Sequence, residues 1–139
     1  MRILALDYGS ARCGVAISDP TGTLATPLDE VRRPAEEAGL SALAALVRDR
    51  EAQRVVVGLP LSLSGGDSAQ TAEARAFADA LRGRVGVPVE LYDERFTTKL
   101  AQRAGGRSGE DSRAAAVLLE GYLDRHRASG FVANRPGSS

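Results

Sequence analysis

The stretch that decides the fold is MRILALDYGSARCGVAISDPTGTLATPL, residues 1–28. It contains three short runs of strand-forming residues, Arg2–Asp7, Cys13–Ser18 and Thr23–Leu28, which are separated by turn-forming residues. Asp19–Gly22 has Pro at its second position and Gly at its fourth, which is the pattern of a type I turn. The stretch therefore predicts an antiparallel meander of three strands.

The rest of the chain alternates between helical and strand patterns. Apolar residues at helical spacing predict helices over Ala35–Arg50, Asp67–Arg82 and about Glu110–His126, with a turn of helix around Thr97–Ala104. Continuous apolar runs predict strands over Arg54–Gly58 and Val87–Asp93. This order predicts an α/β fold with one mixed five-stranded sheet, in which the antiparallel three-strand meander is joined by two parallel strands. The helices cover both faces, and the first strand lies at the centre.

Length and composition restrict the class of protein. A chain of 139 residues has room for one domain, which we place at residues 1–127, with a flexible tail over 128–139. The sequence shows neither a membrane-spanning apolar run nor a signal peptide, which predicts a cytoplasmic protein that does not bind membranes. Because Cys13 is the single cysteine, thiolate metal clusters are excluded, and any metal must be bound by oxygen ligands.

The overall charge does not indicate a nucleic-acid-binding protein. The 18 basic residues balance 18 acidic ones. A carboxylate site that binds two divalent cations would nevertheless become locally positive. All basic residues except Lys99 are arginines, which suit phosphate recognition. A genome rich in G and C would also favour arginine over lysine.

Three acidic positions are predicted to converge. Asp7 ends the first strand, Asp93 and Glu94 end the last strand, and Asp111 lies in the first turn of the last helix. Asp111 shares a helical face with residues predicted to lie in the core, namely Ala115, Leu118 and Tyr122. Three carboxylates at one site would bind Mg²⁺ or Mn²⁺, and we expect two ions, as in sites that hydrolyse phosphodiester bonds.

Alternatives remain open for each acid. If the last strand lies two positions from the first, about 10 Å separates their backbones, which favours the longer Glu94 over Asp93 as the ligand. Asp111 could instead belong to a capping box that begins at Ser108. Asp7 could be a turn residue, and Asp93 and Glu94 could form surface ion pairs.

Basic and hydroxyl residues follow the second acidic position directly. Arg95 and Lys99 are four residues apart, so a helical turn would place them on one face, where they could bind a substrate phosphate together with Thr97 and Thr98. A solvated basic face is the alternative.

Four segments resemble the YqgF/RuvX family of bacterial ribonuclease H-like nucleases: LALDYGSARCGVAISDP (4–20), VVVGLPLSLSGG (55–66), YDERFTT (92–98) and DSRAAAVLLEGYLD (111–124). The resemblance implies a ribonuclease H-like fold. It also implies that Asp7, an acid of the 93–94 pair and Asp111 are metal ligands, and that Arg12 and Arg95 are the family's recurring basic residues. The implied substrates are the 5′ end of precursor small-subunit (16S) rRNA or a branched DNA such as the Holliday junction.

Two other functions compete with a nuclease. The turn after the first strand also resembles the phosphate-binding hairpin of actin-like ATPases and sugar kinases, but those enzymes close two such domains around a nucleotide. We therefore expect no nucleotide cofactor. A non-catalytic RNA-binding module for ribosome assembly is the third hypothesis. The sequence leaves monomer and homodimer open, and a two-fold dimer would favour symmetric cleavage of junctions.

Overall fold

The computed structural model describes residues 1–59, 69–93 and 110–125. Along the chain the described elements are β1 (Ile3–Asp7), β2 (Arg12–Ser18), β3 (Ala25–Arg32), α1 (Glu37–Asp49), β4 (Arg54–Leu59), α2 (Ala69–Arg82), β5 (Val89–Asp93) and α3 (Glu110–Arg125). Their order is the predicted one. The predicted turn at Thr97–Ala104 and the tail at 128–139 lie outside the described residues.

The five strands form one mixed sheet in the order β3-β2-β1-β4-β5. Strand β1 is antiparallel to β2 and parallel to β4, and β4 is parallel to β5. The predicted fold class and the central position of β1 are confirmed. Since β1, β4 and β5 are parallel, their carboxyl ends share one edge of the sheet, at which β2 also begins and β3 ends. We call it the Asp7 edge, after the last residue of β1.

The helices cover both faces, as predicted. Alternate residues of β1 and β4, such as Leu4, Leu6 and Val57, pack in one core with side chains of α1 and α2. The intervening residues, such as Ala5 and Val56, pack in a second core with α3. None of the helices in the described ranges combines the length and apolarity that crossing a membrane requires.

Strand β3 differs from its prediction: it covers Ala25–Arg32 instead of Thr23–Leu28. The predicted turn is present, because the Gly22 amide donates to the Asp19 carbonyl at 2.9 Å. The carboxylate of Asp19 then accepts hydrogen bonds from the amides of Thr23 and Leu24 at 2.7 and 3.0 Å, which keeps both residues out of the strand. At the other end, an irregularity opposite Cys13 and Val15 lets pairing continue to Arg32.

Other boundaries shift by small amounts. Helix α1 begins at Glu37, two residues after the predicted Ala35, because the amide of Glu36 donates to the Arg33 carbonyl in a turn. Strand β5 begins at Val89, after Pro88, which has no amide proton for the ladder. The prediction that Cys13 is a small buried residue is confirmed.

Candidate active site

Asp7 is the last residue of the central strand and is half-buried. Ile3 and Ala5, which precede it at alternate positions of β1, lie in the core under α3. Because side chains alternate along a strand, Asp7 belongs to the α3 face of the sheet. The structure thus puts this carboxylate at the Asp7 edge, on the side that α3 covers.

Glycines flank Asp7 on both neighbouring strands. On β2 its register partner is Gly14. On β4 the pair Leu6–Val57 is followed by Asp7 and Gly58, and Gly58 in turn pairs with Tyr92 on β5. The cross-strand row therefore reads Gly14, Asp7, Gly58, Tyr92. Because both flanking residues are glycines, neither adjacent strand places a side chain directly beside the carboxylate.

The turn after β1 is anchored on the opposite face. The ring of Tyr8 is buried and stacks on Phe77 of α2 with 4.8 Å between ring centroids. Burial raises the pKa of the Tyr8 hydroxyl, and the nearby carboxylate of Glu73 adds to the effect. A Cβ atom on Gly9 would lie 2.7 Å from the backbone oxygen of Arg12, so only glycine fits this tight path. The anchored turn fixes the start of β2 relative to Asp7.

Arg12 begins β2 at the Asp7 edge, and its side chain is 56% exposed. Cys13 and Val15, the odd-numbered residues of β2, are buried in the α1 and α2 core. Arg12 therefore lies on the same face as Gly14 and Asp7. The guanidinium lies 3.6 Å from the Glu30 carboxylate of β3.

The other predicted ligands are located only in part. Asp93 ends β5 and pairs in register with Leu59, so its backbone lies at the Asp7 edge. Asp111 is the second residue of α3, and the core residues predicted to share its face, Ala115, Leu118 and Tyr122, are all buried. The side chains of Asp93 and Asp111 are not among the described groups. Several predicted site residues lie wholly outside the described ranges: Glu94, Arg95, Thr97, Thr98 and Lys99.

These positions bear on the predicted metal site. Among the side chains that the structure describes, which exclude those of Asp93 and Asp111, no group of three or more His, Cys, Asp or Glu residues could bind a metal ion. Of the predicted ligands, Asp7 is the one whose side chain is described. Its carboxylate, with glycines on both sides, fits one ligand of Mg²⁺ or Mn²⁺, which prefer hard oxygen donors.

A partly buried polar cluster joins α3 to the sheet, and the sequence patterns did not predict it. The hydroxyl of Tyr122 donates to Glu90 Oε1 at 2.8 Å and accepts a hydrogen bond from Arg54 Nη1 at 2.9 Å. Its ring also meets that of Tyr92 edge-on, with centroids 5.5 Å apart. Burial raises the pKa of Tyr122 to about 12. The available signal was a tyrosine on the apolar face of a helix, whose hydroxyl needs a partner when buried.

The sequence profile of one family, described as "RuvX: Holliday junction resolvase", matches residues 1–125. The chain belongs to the RuvX family. The chain is also similar to curated proteins over most of its length. A protein of Anaeromyxobacter sp. (strain Fw109-5) is 44% identical over 137 residues, covering 92% of this chain and 100% of the relative. One of Thermobifida fusca is 45% identical over 141 residues, covering 89% of this chain and 87% of the relative. Both relatives are named "Putative pre-16S rRNA nuclease".

Solved structures similar to this RuvX-family chain include RuvC of Thermus thermophilus and the Holliday junction resolvase of fowlpox virus. RuvC of Thermus thermophilus superimposes with a TM-score of 0.61 at 15% identity, covering 93% of this chain and 98% of RuvC. The fowlpox virus resolvase superimposes with a TM-score of 0.55 at 12% identity, covering 90% of this chain and 99% of the viral protein. At these identities the likeness establishes the fold, which is the ribonuclease H-like fold that the sequence predicted.

Proposed function

We propose that this RuvX-family chain is a metal-dependent nuclease that hydrolyses phosphodiester bonds in structured RNA, with the 5′ region of precursor 16S rRNA as its substrate. One observation carries the proposal. The central strand ends in a half-buried carboxylate, Asp7, between Gly14 and Gly58, at the edge where β5 also ends. In parallel sheets, residues that follow the carboxyl ends of the strands form the usual ligand site.

Three carboxylates take the role of metal ligands in this proposal: Asp7, Glu94 and Asp111. Divalent cations bound by such a set activate a water molecule and stabilise the leaving oxygen of the phosphodiester. The protein contributes a fixed central ligand, because Asp7 belongs to a strand that is hydrogen-bonded on both sides. It also contributes α3, whose buried apolar face holds the helix that carries Asp111 against the sheet.

Glu94 is preferred to Asp93 as the second ligand for two reasons. Strand β5 lies two positions from β1, so about 10 Å of sheet separates the backbones, and the longer side chain reaches further. In addition, position 94 follows Tyr92 by two residues, and Tyr92 packs in the α3 core to whose face Asp7 belongs. We expect strand alternation, carried one residue beyond β5, to favour Glu94 on that face.

Substrate phosphates are the proposed ligands of Arg12, Arg95, Thr97, Thr98 and Lys99. Arg12 supports this assignment best, because it is exposed, lies at the Asp7 edge and shares the face of Asp7. A guanidinium in this position can donate two parallel hydrogen bonds to phosphate oxygens. Arg95 directly follows the proposed second ligand and Lys99 comes four residues later, so we expect both to act on the β5 side of the site.

The names of the relatives favour rRNA over branched DNA. The curated proteins that match nearly the whole chain carry a pre-16S rRNA nuclease name. The family description names the Holliday junction instead, so junction cleavage is the second candidate function.

A cleavage panel tests the proposal. Wild-type protein and Asp7→Asn would be incubated with precursor 16S rRNA, a four-way DNA junction and a plain duplex, in Mg²⁺ or Mn²⁺ and in EDTA. We expect the wild type to cut the precursor RNA only with metal, and Asp7→Asn to be inactive while its circular dichroism spectrum is unchanged. Preferential cutting of the junction would replace the RNA assignment by resolvase activity. Equal cleavage by Asp7→Asn and wild type would refute the carboxylate site. The absence of cleavage of every substrate by the wild type would favour a non-catalytic RNA-binding module.

A further inference from the structure

Three arginines lie together at the Asp7 edge, on the β3 side of the proposed site. Arg12 begins β2, Arg32 ends β3 as its register partner, and Arg33 follows immediately. We call these residues the rim arginines. Arg32 is exposed, and the side chain of Arg33 is 71% exposed. None of the sequence motifs pointed to Arg32 or Arg33.

The rim arginines extend a row that starts at the proposed metal ligand. Asp7, Arg12 and Arg32 lie on β1, β2 and β3, which are adjacent strands of the sheet. Register partners in an antiparallel pair project to the same face, so Arg32 shares the face of Arg12 and hence of Asp7. Two strand spacings, about 10 Å, separate the backbones of β1 and β3. A nucleic-acid strand with one phosphate at Asp7 would therefore reach the rim with its next phosphates.

The arrangement is unfavourable for the protein alone. Like charges directly opposite each other in an antiparallel pair destabilise the sheet. Glu30 offsets the charge of Arg12, and Glu36 lies 4.0 Å from Arg33, but this second pair is exposed to water and contributes little. Among the described residues no carboxylate lies within ion-pair distance of Arg32. An anionic ligand would relieve the repulsion between Arg12 and Arg32.

The turn that carries Arg33 is tightly held. Arg33 has a φ of 47°, in the left-handed region that favours glycine. Its amide donates to the Ala11 carbonyl at 2.9 Å, and its carbonyl accepts from the Glu36 amide at 3.1 Å. A Cβ atom on Gly39 would come within 2.6 Å of the Pro34 Cα atom, so α1 packs directly against this turn. These contacts hold the backbone of Arg33 in a strained conformation, so the exposed side chain starts from a fixed point beside Arg32.

We propose that the rim arginines bind the phosphate backbone of the nucleic-acid substrate beside the cleavage site, on the β3 side. This inference rests on the proposed nuclease function and adds Arg32 and Arg33 to its substrate-binding surface. The recognised group is the phosphodiester itself, which RNA and DNA share. The rim therefore contributes affinity and orientation and does not read the base sequence.

Binding measurements with the full chain test whether the rim arginines bind nucleic acid. Fluorescence anisotropy in EDTA, in which metal-dependent cleavage does not occur, would give dissociation constants for a labelled precursor 16S rRNA hairpin and a labelled four-way DNA junction over a range of salt concentrations. The variants are Arg32→Ala and Arg33→Gly. Arg48→Ala is the matched control, because Arg48 is an exposed arginine near the end of α1, at the opposite edge of the sheet.

We expect each rim variant to weaken binding about 5- to 10-fold and to lower the slope of log affinity against log salt by about one, while Arg48→Ala binds like the wild type. The melting temperature of Arg33→Gly should equal or exceed that of the wild type, because glycine tolerates a positive φ. Weaker binding of either probe supports phosphate binding by the rim arginines. The probe that is affected identifies whether they bind RNA, DNA or both.

Unchanged binding of both probes would overturn the inference, as would an equal loss in Arg48→Ala, which would indicate a general charge effect. These outcomes are independent of the cleavage panel. If Asp7→Asn cleaves like the wild type, the nuclease proposal fails, but the anisotropy data still show whether the rim arginines bind nucleic acid. If Asp7→Asn is inactive and the rim variants bind normally, the rim inference alone fails.

Discussion

The hydroxyl of Tyr122 donates a hydrogen bond of 2.8 Å to Oε1 of Glu90, which ties helix α3 to strand β5. These two elements carry Asp111 and Asp93, and Glu94 follows directly after β5. The same hydroxyl accepts a hydrogen bond from Arg54 on β4. The contact therefore fixes the helix against the two parallel strands that follow the meander.

Replacing Tyr122 by Phe should destabilise the protein by about 1–2 kcal/mol, because the change removes two partly buried hydrogen bonds and keeps the ring. Urea unfolding followed by circular dichroism measures the effect. Tyr122→Leu, which also loses the edge-on contact with Tyr92, should cost more. Equal stability of Tyr122→Phe and the wild type would show that the hydroxyl cluster contributes nothing.

Alkaline pH should weaken the fold through Tyr122. The folded state raises the pKa of this hydroxyl from 10.0 to about 12, so the folded protein holds the proton more tightly than the unfolded chain does. The resulting stability is complete below pH 10 and is lost as the pH rises towards 12. Urea midpoints across this range should fall less steeply in Tyr122→Phe. Part of the fall should remain, because burial also raises the pKa of Tyr8. Identical pH profiles of the two proteins would contradict this assignment.

Acidic pH should weaken the β2–β3 turn through Asp19. The hydroxyl of Thr21 and the amides of Leu24 and Thr23 lower the pKa of this carboxylate from 3.8 to about 2. The contribution to stability is therefore present above pH 3.8 and is lost as the pH falls towards 2. Asp19→Ala should melt below the wild type at neutral pH, and the difference should shrink in acid. Asp29→Ala, an exposed change on β3, is the control. A difference between Asp19→Ala and wild type that persists at pH 2 would contradict the account.

Substitutions of Asp93 and Glu94 show which of these two residues is the second metal ligand. Glu94→Gln should lower kcat more than about 100-fold, because it removes a proposed metal ligand, whereas Asp93→Asn should lower it by less than about 10-fold. Single-turnover cleavage of precursor rRNA at saturating Mn²⁺ measures both rates. The reverse order of effects would make Asp93 the ligand.

Adding a methyl group at Gly9 should disturb the turn that links Asp7 to Arg12. The new Cβ atom would lie 2.7 Å from the backbone oxygen of Arg12, and backbone cannot move aside easily. We expect Gly9→Ala to lose about 1–3 kcal/mol of stability and to lower cleavage activity. Gly86→Ala is the matched control: a Cβ atom there meets nothing within 4 Å, so stability should be unchanged or slightly higher. Equal stability of the two variants would contradict the tight turn.

Local sequence patterns predicted most of the architecture. Element order and the buried face of α3 follow from the period of the apolar residues, which reflects burial on one side of a helix or strand. The mixed sheet with β1 at its centre follows from the turn residues of the meander and from the rules for parallel crossovers. The limits of β3 did not follow, because they depend on hydrogen bonds of Asp19 and on an irregularity in pairing with β2. Neither feature has a periodic signature.

The amino-acid sequence by itself determined the fold class and which acids end the strands, since each of these depends on neighbours only a few residues away. The tertiary structure alone decided three relationships: the glycines beside Asp7, the pairing of Arg12 with Arg32, and the hydrogen bond from Tyr122 to Glu90. Each joins residues that are distant in sequence, and strand register and helix placement set the distance between them. Register is determined by the packing of the whole sheet, so no local pattern could have supplied it.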